Sequence, residues 1–353
     1  MSHETIGFCT CPEIQDDLNS YFTQCDPTKL IAAHEVGMVR FLNSPTNRSG
    51  IFQSQITPGN GKKKILQLTY TPRILPSEIG TSCEKICSSN TAYGNLCHEY
   101  EMGDDCLSAH WYFTLGDLAT LCKANDLFIA ESIYNHMSAL LRRLDIEYAD
   151  AMVALAGDFA NGETGTNAGN NEKTIATRNA DNTIDTTGFE EIIFASRNAS
   201  YCSIPFIIGW NEIQKYMTRL QSGCCAAQGI DLADLVTKHD HVFIPDVNID
   251  SGTAFSANHF ITMSAGAVQP LFFNEFSGPA GINTVETEMY KQTVLKHPEY
   301  DVPFDFIWSN DCGKINLFIK LNWDLMGMPD DMWFAGDRLT DVTFVNEYVI
   351  TNP

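Results

Sequence analysis

Long apolar runs are missing from this sequence: no stretch approaches the ~20 consecutive apolar residues that a bilayer-spanning helix needs. The N-terminal residues MSHETIGFCTCPEIQDD have neither the basic start nor the apolar run of a secretory signal, so the expected site of synthesis and folding is a cytoplasm. Positive charge is scarce. Only 22 Lys and Arg stand against 44 Asp and Glu, a formal net charge of -22. Affinity for nucleic acid rests mostly on phosphate neutralisation, so this balance excludes a dedicated nucleic-acid binder. Hydrolase signatures are lacking too, with no Gly-x-Ser-x-Gly elbow and no His-Glu-x-x-His pair. Internal repeats and long low-complexity tracts are absent.

What is present suffices for a core. Hydrophobic residues at 44% and aromatics at 11% of 353 residues exclude global disorder and allow one large or two to three modest domains. Twelve cysteines without an export signal are expected as thiols. Cys122 and Cys202 stand singly in apolar surroundings, where cysteine acts as a small hydrophobe.

Periodicity divides the chain. Asp26-Pro27 opens a helix whose stripe, Leu30, Ile31, His34, Val36, Val39, Phe41 and Leu42, stops at Asn43-Ser44-Pro45. The residues before it read as a loose arm. KKKILQLTYT (62–71) alternates as a strand, closed by Pro72 and Pro76. SAHWYFT (108–114) is expected to return beside it, across an irregular Cys-, Ser- and Gly-rich tip reaching Gly103. From Asn125 to Ala156 apolar residues recur at spacings of three and four, uninterrupted by Gly or Pro. At 1.5 Å per residue this is a rod of roughly 45 Å, ended by Gly157. Its expected core stripe is Ile133, Met137, Leu140, Leu141, Leu144 and Tyr148, with Arg142 and Asp145 on the opposite, exposed face.

Residues 158–188 are a Gly-, Asn- and Thr-rich loop with room for a short strand pair. Phe189–Ala195 and Trp210–Leu220 have helical spacing around the buried-strand run SIPFIIGW. Further strands are expected in HVFIPDV (241–247), HFITMSAGAVQPLFF (259–273), PFDFIWSN, KINLFIKLNWDLMGM and VTFVNEYVI, with a turn at Cys312-Gly313.

Candidate sites fail on spacing. GNGKKK (59–64) suggests a phosphate loop, but Ile56 stands where the first Gly belongs and Lys63 where Ser or Thr is needed. Asp246, Asn248 and Asp250 alternate like a calcium loop, yet Gly252 comes one place late and Ala257 replaces the closing Glu. Cys83, Cys87, Cys97 and His98 offer zinc-type ligands, but three residues separate the first pair and none the second. Loop thiols fit better than zinc; disulfides formed later are the third alternative. His239 and His241 flank an acid in a turn between helix and strand, and the acceptors Asn47-Arg48-Ser49 and Asn198-Ala199-Ser200 mean nothing without export.

Three segments carry a resemblance: GNGKKKILQLTYTPRILPSEIG, GDLATLCKANDLFIAESIYNHMSALLRRLDIE and FDFIWSNDCGKINLFIKLNWDLMGMP. With the order arm, extended loop, long helix, mixed unit and returning strands, they resemble the Hong Kong 97-type fold of tailed-phage and herpesvirus major capsid proteins, over about residues 28–330. The resemblance implies an α+β chain. Residues 1–50 would be an N-terminal arm with one helix and 51–113 an extended β-loop. A peripheral domain, 114–190 and 304–353, would hold the spine helix, and an axial domain would fill 191–303. The implied function is a non-enzymatic shell subunit without cofactor, forming hexamers and pentamers of an icosahedral virion capsid assembled in the host cytoplasm. Implied partners are its own copies, double-stranded DNA held without sequence specificity, and portal, scaffolding, decoration or minor capsid proteins; no membrane is involved. Lys62, Lys63, Lys64 and Arg73, the main basic patch, join Arg142 and Asp145 as expected subunit contacts. Rival readings are an encapsulin-like nanocompartment shell and, in another class, a metal-dependent soluble hydrolase.

Overall fold

Alternation of apolar and polar residues along the later part of the chain produces antiparallel pairing in the computed structural model. It describes residues 15–16, 18–19, 35–45, 47, 65–70, 96–103, 105–114, 116, 125–155, 172–180, 183, 185, 187–188, 205–221, 242–250, 258–275, 285–286, 290–311, 314–327 and 345–351. In chain order the first elements are helix α1 (Gly37–Leu42), strands β1 (Ile65–Tyr70), β2 (Leu96–Glu101) and β3 (Cys106–Thr114), and helix α2 (Asn125–Leu155). Next come β4 (Glu172–Ala176), β5 (Pro205–Gly209), α3 (Asn211–Gln221), β6 (Val242–Pro245), β7 (His259–Ser264) and β8 (Val268–Phe273). The last are β9 (Val285–Glu286), β10 (Tyr290–Lys296), β11 (Pro303–Asp311), β12 (Lys314–Gly327) and β13 (Val345–Thr351).

One compact unit comprises Met1–Asn43, Met102–Asp145 and Pro270–Asp324. Its sheet has the order β3-β12-β11-β10-β9, with β8 also pairing β12. Along β12, Ile315, Leu317, Ile319 and Leu321 are buried while Lys314, Asn316, Phe318 and Lys320 are not, the period of two that puts one face in the core. That face meets α2. Trp111 of β3 stacks on His136 with ring centroids 3.8 Å apart, and Phe113 meets Phe128 at 5.1 Å. Each Leu or Ile fully buried here contributes about 1.5–3 kcal/mol relative to exposure.

The second unit comprises Ser44–Glu101, Ile146–Gln269 and Leu325–Pro353. Its sheet has the order β4-β13-β7-β5-β6, parallel at the β4–β13 and β5–β6 pairs. Central β7 is buried at all six positions. Phe260 stacks on Tyr348 across the β7–β13 pair, 4.9 Å between centroids. Gly209 leaves room for α3, because a Cβ there would lie 2.5 Å from Ile213 and 2.8 Å from Phe260. The strands β1 and β2 form a separate two-stranded ribbon.

The long helix is continuous through Asn135 and His136. Two expectations need correction. The partner of β1 is β2, register Ile65↔Glu101 to Tyr70↔Leu96, and not SAHWYFT. That segment is β3 and pairs with β12 instead, because its Trp111 and Phe113 belong to the face against α2. The run 259–273 is two strands, broken by a turn with an Ala267 N–H to Ser264 O bond of 3.1 Å and Gly266 at φ 77, the left-handed position of a type II turn. Strand β10 was not anticipated, since its Lys291 is buried and breaks the apolar alternation. Leu30, Ile31, His34, the helix at Phe189–Ala195, Cys122 and Cys202 lie outside the described residues.

Candidate functional site

A helix that turns outward every fourth residue should show its charged face to solvent, and Arg142 does. Its Nε lies 3.0 Å from Glu35, both side chains part-exposed. Such a pair contributes only about 0–1 kcal/mol. Asp145 corrects the expectation. It is fully buried, and its Oδ1 accepts the Val39 N–H at 2.8 Å, so it offers no surface to another molecule. Ile133, Met137, Leu140, Leu141, Leu144 and Tyr148 are all buried. Lys62, Lys63, Lys64, Arg73, Cys83, Cys87, His239 and His241 lie outside the described residues. Cys97 and His98 occupy adjacent register positions in β2, opposite Thr69 and Leu68.

The calcium-like turn has another explanation. Asp246 is buried and its Oδ1 accepts the Asn248 N–H at 2.8 Å, closing an Asx-turn that leads into the short 3-10 helix Asn248–Asp250. Among the described residues no three His, Cys, Asp or Glu side chains are grouped to hold a metal. Asn47 is likewise structural. Its side chain donates to Val268 O (2.9 Å) and accepts the Gly266 N–H (3.0 Å), while Gln269 Nε2 donates to its carbonyl (2.7 Å).

The accessible surface of note is β3, which ends the six-stranded order. Its burial alternates, with Cys106, Ser108, His110 and Tyr112 exposed. Tyr112 is 56% exposed, and Lys314 Nζ stands 5.0 Å from its ring centroid. Among the described residues no further strand pairs with it, and the strand itself contains neither carboxylate nor proline. Nearby, Lys320 donates to Glu275 at 2.6 Å, and that hydrogen bond raises its pKa. Buried Asp305 accepts the Glu275 N–H at 2.9 Å, fixing the chain after β8. The sequence signal for this surface was the alternation of CLSAHWYFT, whose even-numbered residues are the polar set.

Two histidines lie among the buried titratable groups. His259 Nδ1 lies 2.7 Å from Glu347 Oε1, both buried. His297 is pushed down to about 3 by burial, and the same cause raises the phenols of Tyr134 and Tyr300. Sequence reasoning did not single out any of these residues.

No family model and no curated protein matches the sequence. The fold, however, is found among phage capsid structures. A chain of the cyanophage A-1(L) capsid asymmetric unit superposes with a TM-score of 0.52 at 12% identity, over 93% of this chain and 96% of that one. The capsid of Ralstonia phage GP4 aligns at TM-score 0.45 and 11% identity, covering 100% and 99% of the two chains. That of Myoviridae phage XM1 gives 0.42 and 10%, covering 98% and 99%. The A-1(L) likeness, spanning both chains nearly end to end, shows that the chain has a phage capsid fold.

Proposed function

We propose that this chain is the major capsid protein of a tailed bacteriophage, a structural subunit of the virion shell and not an enzyme. One observation carries the proposal: a shared fold over nearly the full length of a phage capsid chain, with a TM-score of 0.52. The finer reading is of the Hong Kong 97 type. Copies gather as hexamers and pentamers into an icosahedral shell around double-stranded DNA, assembled in the host cytoplasm with portal, scaffolding and decoration or minor capsid proteins. In it residues 51–113 form the extended loop, 114–190 with 304–353 the peripheral domain, and 191–303 the axial domain. Lys62, Lys63, Lys64, Arg73 and Arg142 are its proposed subunit contacts.

The mechanism is geometric. Burial between many copies stabilises the shell, and a net charge of -22 keeps its lining from gripping the packed genome. Expression of the chain, followed by sedimentation, negative-stain microscopy and metal analysis, tests the proposal. Zinc-free particles of megadalton mass are expected. A metal-loaded monomer under conditions that keep the protein soluble would overturn it.

A further inference from the structure

Six residues, His297 to Val302, carry the chain from β10 back into β11, and one histidine organises them. The His297 N–H donates to Val302 O (3.0 Å), the Asp301 N–H donates to His297 O (3.1 Å), and the Glu299 N–H donates to His297 Nδ1 (3.2 Å). Asp301 sits in the left-handed region at φ 54, and its carboxylate is held by Lys296 Nζ at 2.9 Å. The imidazole is 1% exposed and lies between Tyr134 of α2 and Tyr300, 5.2 Å from each ring centroid.

The proton position follows from these bonds. A nitrogen that accepts an N–H carries no proton, so the neutral ring is protonated on Nε2. A second proton can only go to Nδ1, where it would face the Glu299 N–H head on. Nε2 is buried and has no hydrogen-bond partner among the described residues, so none of them stabilises a cation there. The closed turn and the charged ring are incompatible.

The residue before the turn holds the N-terminal segment. Gln15 Nε2 donates to Lys296 O at 3.1 Å, and the Lys296 N–H donates to Gln15 Oε1 at 2.9 Å. Three residues on, Leu18 is fully buried. We propose that His297 is a proton-operated catch: the neutral ring keeps the turn closed and the N-terminal segment docked on Lys296, and protonation at Nδ1 opens the turn and releases the segment.

The surroundings favour this response in the acid range. Facing the ring are the Tyr134 phenol from α2 and the Tyr300 phenol with Glu299 from the turn. Arg142 of α2 acts on the Tyr134 phenol and Arg40 of α1 on that of Tyr300. Both phenols are raised and stay neutral in acid. Burial alone holds the closed-state ring near 3, against 6.5 when exposed. Between those values the open form binds more protons, so opening is favoured as pH falls and the effect is absent above the exposed value. From pH 7.5 to 4.5 the opening equilibrium should rise about 100-fold. The inference rests on the turn and not on the shell reading, and a subunit that forms no particles can still carry it.

Hydrogen exchange on the full chain, normalised to intrinsic rates at each pH, tests it. Protection at Lys296, His297, Glu299, Asp301 and residues 18–19 should fall about 100-fold from pH 7.5 to 4.5. Leu141 and Leu144 in α2 should hold theirs. In His297→Asn, whose side-chain oxygen can still accept the Glu299 N–H, protection should be flat with pH. The proposal is overturned by flat wild-type protection, by the same fall in the variant, by a parallel fall at Leu141 and Leu144, or by residues 18–19 not following the turn. Nitrogen NMR of histidine-labelled wild type gives a reading independent of the variant's folding. An unprotonated Nδ1 at pH 7.5 that gains its proton together with loss of turn protection supports the catch, and a ring charging near pH 6.5 with protection intact sinks it.

Discussion

At the scale of single residues, a carboxylate on one helix completes the start of another. Helix α1 begins after Val36, whose side chain has no atom that can cap, and no acid lies in its first turn. Its Val39 N–H is one of the donors a helix leaves unpaired, and Asp145 accepts it from 106 residues away. An N-cap side chain would occupy the same place, so Asp145 acts as a cap supplied in trans. Changing Asp145→Ala leaves that buried N–H unsatisfied and should cost about 1–3 kcal/mol in urea unfolding. Asp145→Asn, which keeps an acceptor, should lose less. Equal stability of the Ala variant and wild type would rule out the capping role. The sequence placed Asp145 beside Arg142 on an exposed face, since helical period tells which way a residue faces but not what distant segment arrives there. Asn47 was illegible for the same reason: its partners, Gly266, Val268 and Gln269, are all distant in the chain.

At the scale of elements, legibility followed the strength of the period. Helix α2 and strand β12 were readable because apolar residues mark one face of each without interruption. Strand β2, LCHEYE, has too few apolar residues to announce itself, so β1 was matched with the wrong strand. Buried Lys291 hid β10 in the same way. Two variants probe the helix. Leu144 is fully buried, so Leu144→Ala should destabilise by roughly 2–5 kcal/mol through lost transfer energy and the cavity left behind. That is a large share of a typical stability of roughly 5–15 kcal/mol, and thermal unfolding of the subunit should record it. Asn135 is exposed in mid-helix, so no packing is at stake there. Asn135→Pro removes a helical hydrogen bond and clashes with the preceding turn, about 3 kcal/mol or more. A soluble Asn135→Pro protein of wild-type stability would mean that the helix breaks at this point.

At the scale of the whole molecule, the long helix and the later strands were legible in chain order, and the pairing of distant strands was not. Each compact unit is assembled from three separate stretches, and pairings such as β3 with β12 join residues some 200 positions apart, which local period does not encode. The ribbon β1–β2 then poses a physical problem. A two-stranded sheet is marginal in water, and among the described residues no third strand joins it. At its base the Tyr100 hydroxyl donates to Leu325 O at 3.4 Å. Copies carrying a net charge of -22 repel at long range, so they must associate through short-range burial and local charge pairs. A marginal ribbon gains most from such burial, because covering its faces offsets the entropy of ordering it. Hydrogen exchange should therefore be fast at residues 65–70 and 96–101 in isolated subunits and slow in assembled particles, while Leu141 and Leu144 stay protected in both. If the ribbon is equally protected in both states, it is stabilised within the subunit, and burial against a neighbouring copy is not what orders it.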